Sequence, residues 1–408
     1  MGMTDRLRVM FVDDEPHILR GLQRSMARME DRWDVVLCAS GAEALAWMDE
    51  NGSLDVVVSD MRMPEMDGAD LLERVRARSP ETLRVILSGY AESEAVLRTV
   101  GPAHLYLAKP CSPALLEQAI VRPVALRERM TDPSLRAVLA GLSHLPSLPQ
   151  VFLEIDAELR SPQASARSVA AIIGRDMAMT AELLRLTNSA YFSLGAPAAT
   201  PLQAIRALGL ETVQTLVLNI GIFRQLNSGR QDIAPALEAL TTYSLALAGA
   251  AERIALANGA DGALSKVAHC AAMLSHIGTV VLLEAHADAY RTVTQSLRPG
   301  ESLEAAERKV FHADHALIGA YLLGLWGFAP PVVEAVAYSG WPGEVGGDPG
   351  PLLVALHAAR ALGPVFPLVA PPVEARPPLD RESLARLGLD DKIPTWTTLV
   401  ARSADEVV

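Results

Sequence analysis

Five short runs rich in Val, Ile and Leu, at residues 8–12, 34–39, 55–59, 83–87 and 105–108, alternate with segments such as 18–29 and 42–49 whose apolar residues recur at helical spacing. That alternation constrains the fold more than any other feature of the chain. Parallel strands need a crossover between them, usually a helix, and the resulting sheet is covered on both faces. The first 120 residues are therefore expected to form an α/β doubly wound, five-stranded parallel sheet. After about residue 123 the strand signals stop, and as far as about 340 helix follows helix, rich in Ala and Leu. The 408 residues are expected to divide into a first domain at 1–122, a partly helical linker at 123–145 and an all-α domain at 146–340. A Gly/Pro-rich stretch with C-terminal helical segments, 341–408, is available to complete the second domain.

In a doubly wound sheet, ligands bind outside the carboxyl ends of the strands. Here the first strand ends in Asp13-Asp14-Glu15, the third in Asp60, the fourth in Ser88 and the fifth in Lys109-Pro110. An isolated Asp-Asp pair is ordinarily a helix cap or a solvated loop, and a lone Lys-Pro carries less information still. The ordered set, with each member at a strand end, specifies a task. Three carboxylates from two strands suit a hard divalent cation such as Mg2+. The cation offsets their repulsion and can bind oxygens of a phosphoryl group delivered to Asp60. Lys109 adds a point positive charge and Ser88 a hydroxyl donor. Attack by a carboxylate on phosphorus gives an acyl phosphate, and positioning with charge neutralisation accounts for most of the acceleration in such transfers.

These segments resemble the receiver domain of two-component response regulators over roughly residues 7–122. The resemblance is carried by Val12-Asp13-Asp14-Glu15, by Asp60-Met61-Arg62-Met63-Pro64-Glu65-Met66-Asp67-Gly68, by Ser88-Gly89 and by Lys109-Pro110. It implies that Asp60 is the phosphoacceptor and that Lys109 and Ser88 assist. Asp13, Asp14, Asp60 and the backbone carbonyl of Arg62 would hold Mg2+. Ser88 and Tyr106 would be the switch residues, and the peptide before Pro110 would be cis. The ordinary alternative for Tyr106 is a half-buried strand tyrosine that only packs.

The second half resembles the HDOD domain, an all-helical relative of the HD phosphohydrolases, over 145–340. The resemblance is carried by Leu145-Pro146-Ser147-Leu148-Pro149, by Leu186-Thr187-Asn188-Ser189-Ala190-Tyr191-Phe192, by Ala207-Leu208-Gly209-Leu210-Glu211-Thr212-Val213, by Asp314-His315 and by Gly319-Ala320-Tyr321-Leu322-Leu323. Without it, these residues read only as helix ends, a Gly stop and aromatic anchors. Metal-dependent HD proteins use histidines and a His-Asp pair to activate water. In this chain Leu274-Ser275-His276-Ile277-Gly278 stands in place of Leu-His-Asp-Ile-Gly. Tyr243 stands where a histidine is common, and Ser339-Gly340 where paired histidines are common. A serine and a displaced imidazole do not reproduce the ligand pair, so no catalysis and no metal is expected in this domain. His269 and His276, seven apart, would share a helix face, and His312 and His315 would lie one turn apart if that segment is helical, with no acidic ligand paired to them at the right spacing.

The formal charge is −12, split evenly between 14 Lys and Arg against 20 Asp and Glu up to residue 125 and 22 against 28 beyond it. Neither half has the basic footprint of a duplex DNA binder, so no nucleic acid is expected as a partner. Three widely spaced cysteines, Cys38, Cys111 and Cys270, fit reduced thiols in a cytoplasmic protein. No signal-peptide core and no membrane span are read. The combined expectation is a phosphorylation-controlled signalling regulator. A sensor histidine kinase or phosphotransfer protein supplies the phosphoryl group, a non-catalytic HDOD domain binds a downstream signalling protein, and a homodimer is left open. The alternative is a divergent HD-type cyclic-dinucleotide or nucleotide phosphohydrolase under receiver control.

The last receiver helix is expected to end near Ile120 with Leu115, Leu116, Ala119 and Ile120 toward the sheet, and the next turn, Val124 to Met130, is available to extend toward the second domain. Residues 122–145 would then couple the two domains rather than act as a passive tether.

Overall fold

A computed structural model describes residues 6–26, 31–88, 103–130, 132, 135, 136, 139, 149–161, 163–188, 197–214, 232–369 and 375–405. The first domain is a parallel sheet of strands β1 (Leu7–Val12), β2 (Trp33–Cys38), β3 (Val56–Asp60), β4 (Leu83–Ser88) and β5 (Leu105–Ala108), in the order β2-β1-β3-β4-β5. The central strand β3 is buried along its length apart from Asp60 at its end, as a strand covered on both faces must be. Helices α1 (Pro16–Met26), α2 (Gly41–Asn51), α3 (Gly68–Arg78) and α4 (Pro113–Arg129) surround it. Side chains cap three of them: Ser40 accepts from Glu43 N, Asp67 from Asp70 N and Ser112 from Leu115 N, each satisfying an amide that has no partner inside its helix.

Helix α4 corrects the expected boundary. It does not stop near Ile120 but runs unbroken to Arg129, with Pro123 inside it and buried. Leu116 and Ile120 are fully buried and Ala119 half-buried, whereas Leu115 is 48% exposed and faces away from the sheet. The turn at 145–148 lies outside the described residues.

The second domain is helical, from α5 (Pro149–Leu159), α6 (Ala166–Ile173), α7 (Met177–Thr187), α8 (Pro201–Leu208) and α9 (Leu210–Gln214) to a bundle of α10 (Ala234–Ala257), α11 (Gly262–Leu274), α12 (Ile277–Ser296), α13 (Leu303–Phe311), α14 (His315–Leu325) and α15 (Pro330–Ala337). The Gly stop read in the sequence is present: Gly209, at φ 82°, ends α8 and α9 starts at once. Gly278 lets α12 cross α14 at backbone contact, since a Cβ there would lie 2.1 Å from the carbonyl oxygen of His315.

Three more helices follow: α16 (Pro351–Leu362), α17 (Arg381–Arg386) and α18 (Ile393–Asp405). Helices α16 and α18 pack on α10. Trp396 of α18 is fully buried and donates to Asn258 Oδ1 at 3.0 Å. The 262–296 stretch is long and apolar enough to cross a membrane, but most of it is buried inside the bundle, which accounts for its composition.

The domains meet at the amino-terminal end of the sheet. Helix α14 packs on α4, with Gly324 facing Pro123 and Leu126 and Gly327 facing Leu105. Arg129 lies over the ring of Tyr338, 5.6 Å from its centroid. Arg127 fixes the end of α4 to the first domain by donating to Asp55 Oδ1 (2.6 Å) and to the Glu81 carbonyl (3.0 Å).

Candidate functional site

The carboxyl ends of β1, β3 and β5 bring Asp13, Asp60 and Lys109 together. Lys109 Nζ donates to Asp13 Oδ2 at 2.7 Å and also to Asp60 Oδ1. The Asp13 side chain is 3% exposed, that of Asp60 13% and that of Lys109 25%, so the cluster opens to solvent on one side. Burial disfavours the Lys109 charge, but the hydrogen bonds and charges of Asp13 and Asp60 outweigh it and raise the ammonium above its ordinary pKa. Backbone amides hold the carboxylates: Glu15 N donates to Asp13 Oδ1 at 2.9 Å and Arg62 N to Asp60 Oδ2 at 2.8 Å. Gly68 permits the loop after β3 to close, because a Cβ there would lie 2.2 Å from the Asp60 carbonyl oxygen. The Lys109-Pro110 peptide is cis.

Asp14 is half-buried beside the cluster and Arg62 is exposed. Ser88 and Tyr106 hold the backbone positions expected, at the end of β4 and in β5; their side chains lie outside the described residues. Among the described residues no group of three His, Cys, Asp or Glu side chains is arranged as a metal cluster. The donor chemistry nonetheless fits a hard divalent ion. Asp13, Asp14, Asp60 and the Arg62 carbonyl offer only oxygen, and two of these carboxylates already converge on a cation, the Lys109 ammonium.

The second constellation is buried in the helical domain, where Tyr243, Ser275, His276 and Ser339 come together. His276 is fully buried with Tyr243 edge-on at 5.1 Å and Phe366 stacked at 5.4 Å. Ser275 Oγ donates to the Ala272 carbonyl at 2.8 Å, so at 3.0 Å it accepts from His276 Nδ1. Burial, with His315 and Arg360 adding to it, holds the His276 imidazole well below its ordinary pKa. Gly340 is placed beside Glu304, 3.2 Å from Glu304 Oε1 at its Cβ position.

Two expectations about the histidines fail. His269 and His276 do not share a helix face, because α11 ends at Leu274; His269 instead faces Glu252 at 3.0 Å. His312 caps α13 in the left-handed region while His315 begins α14, so the pair is split by a helix break. An acidic partner is also present after all: Glu307 Oε2 accepts from both His315 N (2.8 Å) and His315 Nδ1 (2.7 Å).

Sequence reasoning missed Glu304, Glu307 and Arg360. All three are buried polar residues in apolar helices, and the signal available was charge in positions that the helical pattern assigns to the core. Arg360 Nη1 donates to Ser339 Oγ at 2.6 Å, and Nη2 to Glu304 Oε1 at 2.7 Å and His315 Nε2 at 3.0 Å.

The comparisons with known proteins agree with this division. A response regulator receiver domain model matches residues 9–121, and an HDOD domain model matches residues 145–342. An uncharacterized protein of Treponema pallidum is 28% identical over 48% of this chain and 38% of its own length. The hydrogenase transcriptional regulatory protein HoxA of Cupriavidus necator is 34% identical over 27% of this chain and 23% of its own length. The chain thus spans well under half of either relative. Among solved structures, the MmoQ response regulator of Methylococcus capsulatus is 25% identical with a TM-score of 0.46, covering 62% of this chain and 98% of that one.

Proposed function

Since the chain belongs to the response regulators that join an N-terminal receiver domain to a C-terminal HDOD domain, we propose that it is a cytoplasmic switch in which phosphorylation of Asp60 controls a non-catalytic binding domain. The observation that carries this reading is the convergence of Asp60, Asp13 and Lys109 at the strand ends. A sensor histidine kinase or phosphotransfer protein presents a phosphohistidine. An Asp60 carboxylate oxygen attacks phosphorus, the P–N bond breaks with its electron pair going to the imidazole, and an aspartyl phosphate remains. Mg2+, held by Asp13, Asp14, Asp60 and the Arg62 carbonyl, would supply charge neutralisation for the phosphoryl oxygens. Lys109 gives up its contact with Asp60 to pair with the new phosphoryl oxygens, and Ser88 donates its hydroxyl to them.

The helical domain docks at the opposite end of the sheet, with Gly327 against Leu105 at the start of β5 and α14 against the end of α4, which Arg127 ties to Asp55 and Glu81 beside the starts of β3 and β4. A six-residue strand such as β4 is about 17–20 Å long, so the site stays open to a kinase while its state must travel that distance. Helix α4 begins beside Lys109-Pro110 and ends on Tyr338, which makes it the direct route. Tyr106, on β5 three residues before Lys109, would report the switch to it. The phosphorylated state exposes a surface of the HDOD domain to a downstream signalling protein.

Support for a non-catalytic second domain comes from its pocket, where Tyr243, Ser275 and Ser339 supply hydroxyls in place of imidazoles and a guanidinium fills the centre. Incubation with a small acyl phosphate and Mg2+ tests the proposal: the wild type should be labelled and Asp60→Asn should not. Labelling that persists in that variant would overturn the assignment.

A further inference from the structure

Arg360, Glu304, Glu307 and His315 are each 3% exposed or less and come from three helices, α13, α14 and α16. Burying charges is costly unless they are paired with good geometry, so their arrangement requires a reason. Glu307 orients His315 by taking the imidazole Nδ1–H, and Tyr290 OH in turn donates to Glu307 Oε1 at 3.0 Å. The Arg360 contact to Nε2 then requires a lone pair on that nitrogen, since guanidinium only donates. A histidine that gives one ring N–H to a carboxylate and aims the other nitrogen at a cation is the arrangement that metal-ligating histidines use. Here the cation is Arg360 Nη2, shared between His315 Nε2 and Glu304 Oε1, with Ser339 Oγ on Nη1.

The guanidinium is not fully matched to its surroundings. Its Nε is buried with no hydrogen-bond partner among the described residues, although an arginine placed for its hydrogen-bonding fork would use that donor. The pocket supplies what a compact cation needs, an imidazole nitrogen and a carboxylate oxygen converging on one point, and the side chain meets that demand with charge. We infer that Glu304 and His315 form a latent transition-metal site in the HDOD domain, which the guanidinium of Arg360 fills as an internal cation. The inference does not depend on the phosphorylation reading, because none of its residues belongs to the receiver domain.

Full-length wild type, Arg360→Ala and Arg360→Lys are dialysed against micromolar Zn2+ or Mn2+, and bound metal is measured per chain. The wild type and Arg360→Lys should bind equally, at whatever level the rest of the chain sets. Arg360→Ala should bind about one additional equivalent, and Glu304→Gln added to it should abolish that equivalent. Thermal unfolding gives a second readout. The melting temperature of Arg360→Ala should rise with Zn2+ and with low millimolar guanidinium, but not with equal urea, while the wild type responds to none of them. The inference is overturned if Arg360→Ala gains neither metal nor guanidinium stabilisation, if its extra equivalent survives Glu304→Gln, or if it stays unfolded with every added cation while Arg360→Lys folds.

Discussion

Gly324 offers a test of whether the two domains are held together as described, because substitutions of different size should act with opposite sign. It lies within α14 at the contact with α4, and a Cβ there would meet Pro123 Cγ at 3.8 Å, Val333 Cγ1 at 3.9 Å and Leu126 Cδ1 at 4.0 Å. Those are ordinary van der Waals distances, so Ala fits. Gly in a helix costs about 0.8–1 kcal/mol relative to Ala, and Gly324→Ala should therefore stabilise the helical domain by about 1 kcal/mol, or roughly 2–4 °C in Tm for a unit of this size. Leu has nearly the same helix propensity, so an isolated α14 would gain about as much from it. In the docked protein, three further carbons must enter a space bounded by Pro123 and Leu126, and overpacking costs about 1–3 kcal/mol. Gly324→Leu should lose the gain seen with Ala and wedge α4 from α14. Hydrogen exchange at 121–130 and 315–325 should then quicken, and the radius of gyration from small-angle scattering should grow. If Leu stabilises as much as Ala and leaves exchange unchanged, α4 does not pack on α14 in solution.

Three further outcomes follow from the geometry. Lys109→Ala should weaken the conformational response to a phosphate mimic such as beryllofluoride more than it weakens Mg2+ binding measured by titration, since its proposed role is toward the phosphoryl oxygens; an equal loss of both would refute that division. Gly278→Ala drives a methyl to 2.1 Å from the His315 carbonyl and 2.9 Å from Gly319 N, both backbone atoms, and denaturant melts should show a loss of at least about 3 kcal/mol, at the large end for single substitutions. His104 is held well below its ordinary pKa by burial and by Arg84, Arg185, Arg127 and Arg76, so its folded form resists protonation. Stability is complete above the unfolded pKa of about 6.5 and falls as pH drops below it, by up to about 1.4 kcal/mol per pH unit. His276 is depressed in the same way and adds a slope of the same sign, so pH melts of His104→Gln should show the slope below pH 6.5 reduced by about one proton's share, roughly 1.4 kcal/mol per pH unit, rather than abolished.

What the sequence made legible followed from how local each signal is. The strands and the residues at their ends could be read because a parallel sheet writes itself as apolar runs, and its site lies where those runs stop. The end of α4 could not, because the change of domain after residue 122 suggested a break. Burial of Pro123 against α14 and the anchoring of Arg127 to Asp55 keep the helix intact, and both contacts span long sequence distances. The way α18 docks was hidden for a similar reason. Its burial depends on Trp396 reaching Asn258 across 138 residues, which no local periodicity encodes. In the helical pocket the departures at Tyr243, Ser275, His276 and Ser339 were visible, but what replaced them was not. Arg360 follows Ser339 by 21 residues in a helix that otherwise reads as uniform core, and only the fold places it there.

That replacement bears on how the receiver could act on the helical domain. Tyr338, under the guanidinium of Arg129 at the end of α4, is the chain neighbour of Ser339, whose hydroxyl accepts from Arg360 and whose carbonyl accepts from His357 Nδ1 at 2.8 Å. A shift of α4 against Tyr338 therefore meets a segment tied at once to a buried charge and to α16. Buried ionic groups give little net stability against apolar residues of similar size, but they penalise any arrangement that leaves one of them unpaired. Packed interfaces of this kind switch between discrete arrangements rather than deform continuously, and under the switch proposed above a pocket closed by Arg360 would supply that discreteness rather than added stability.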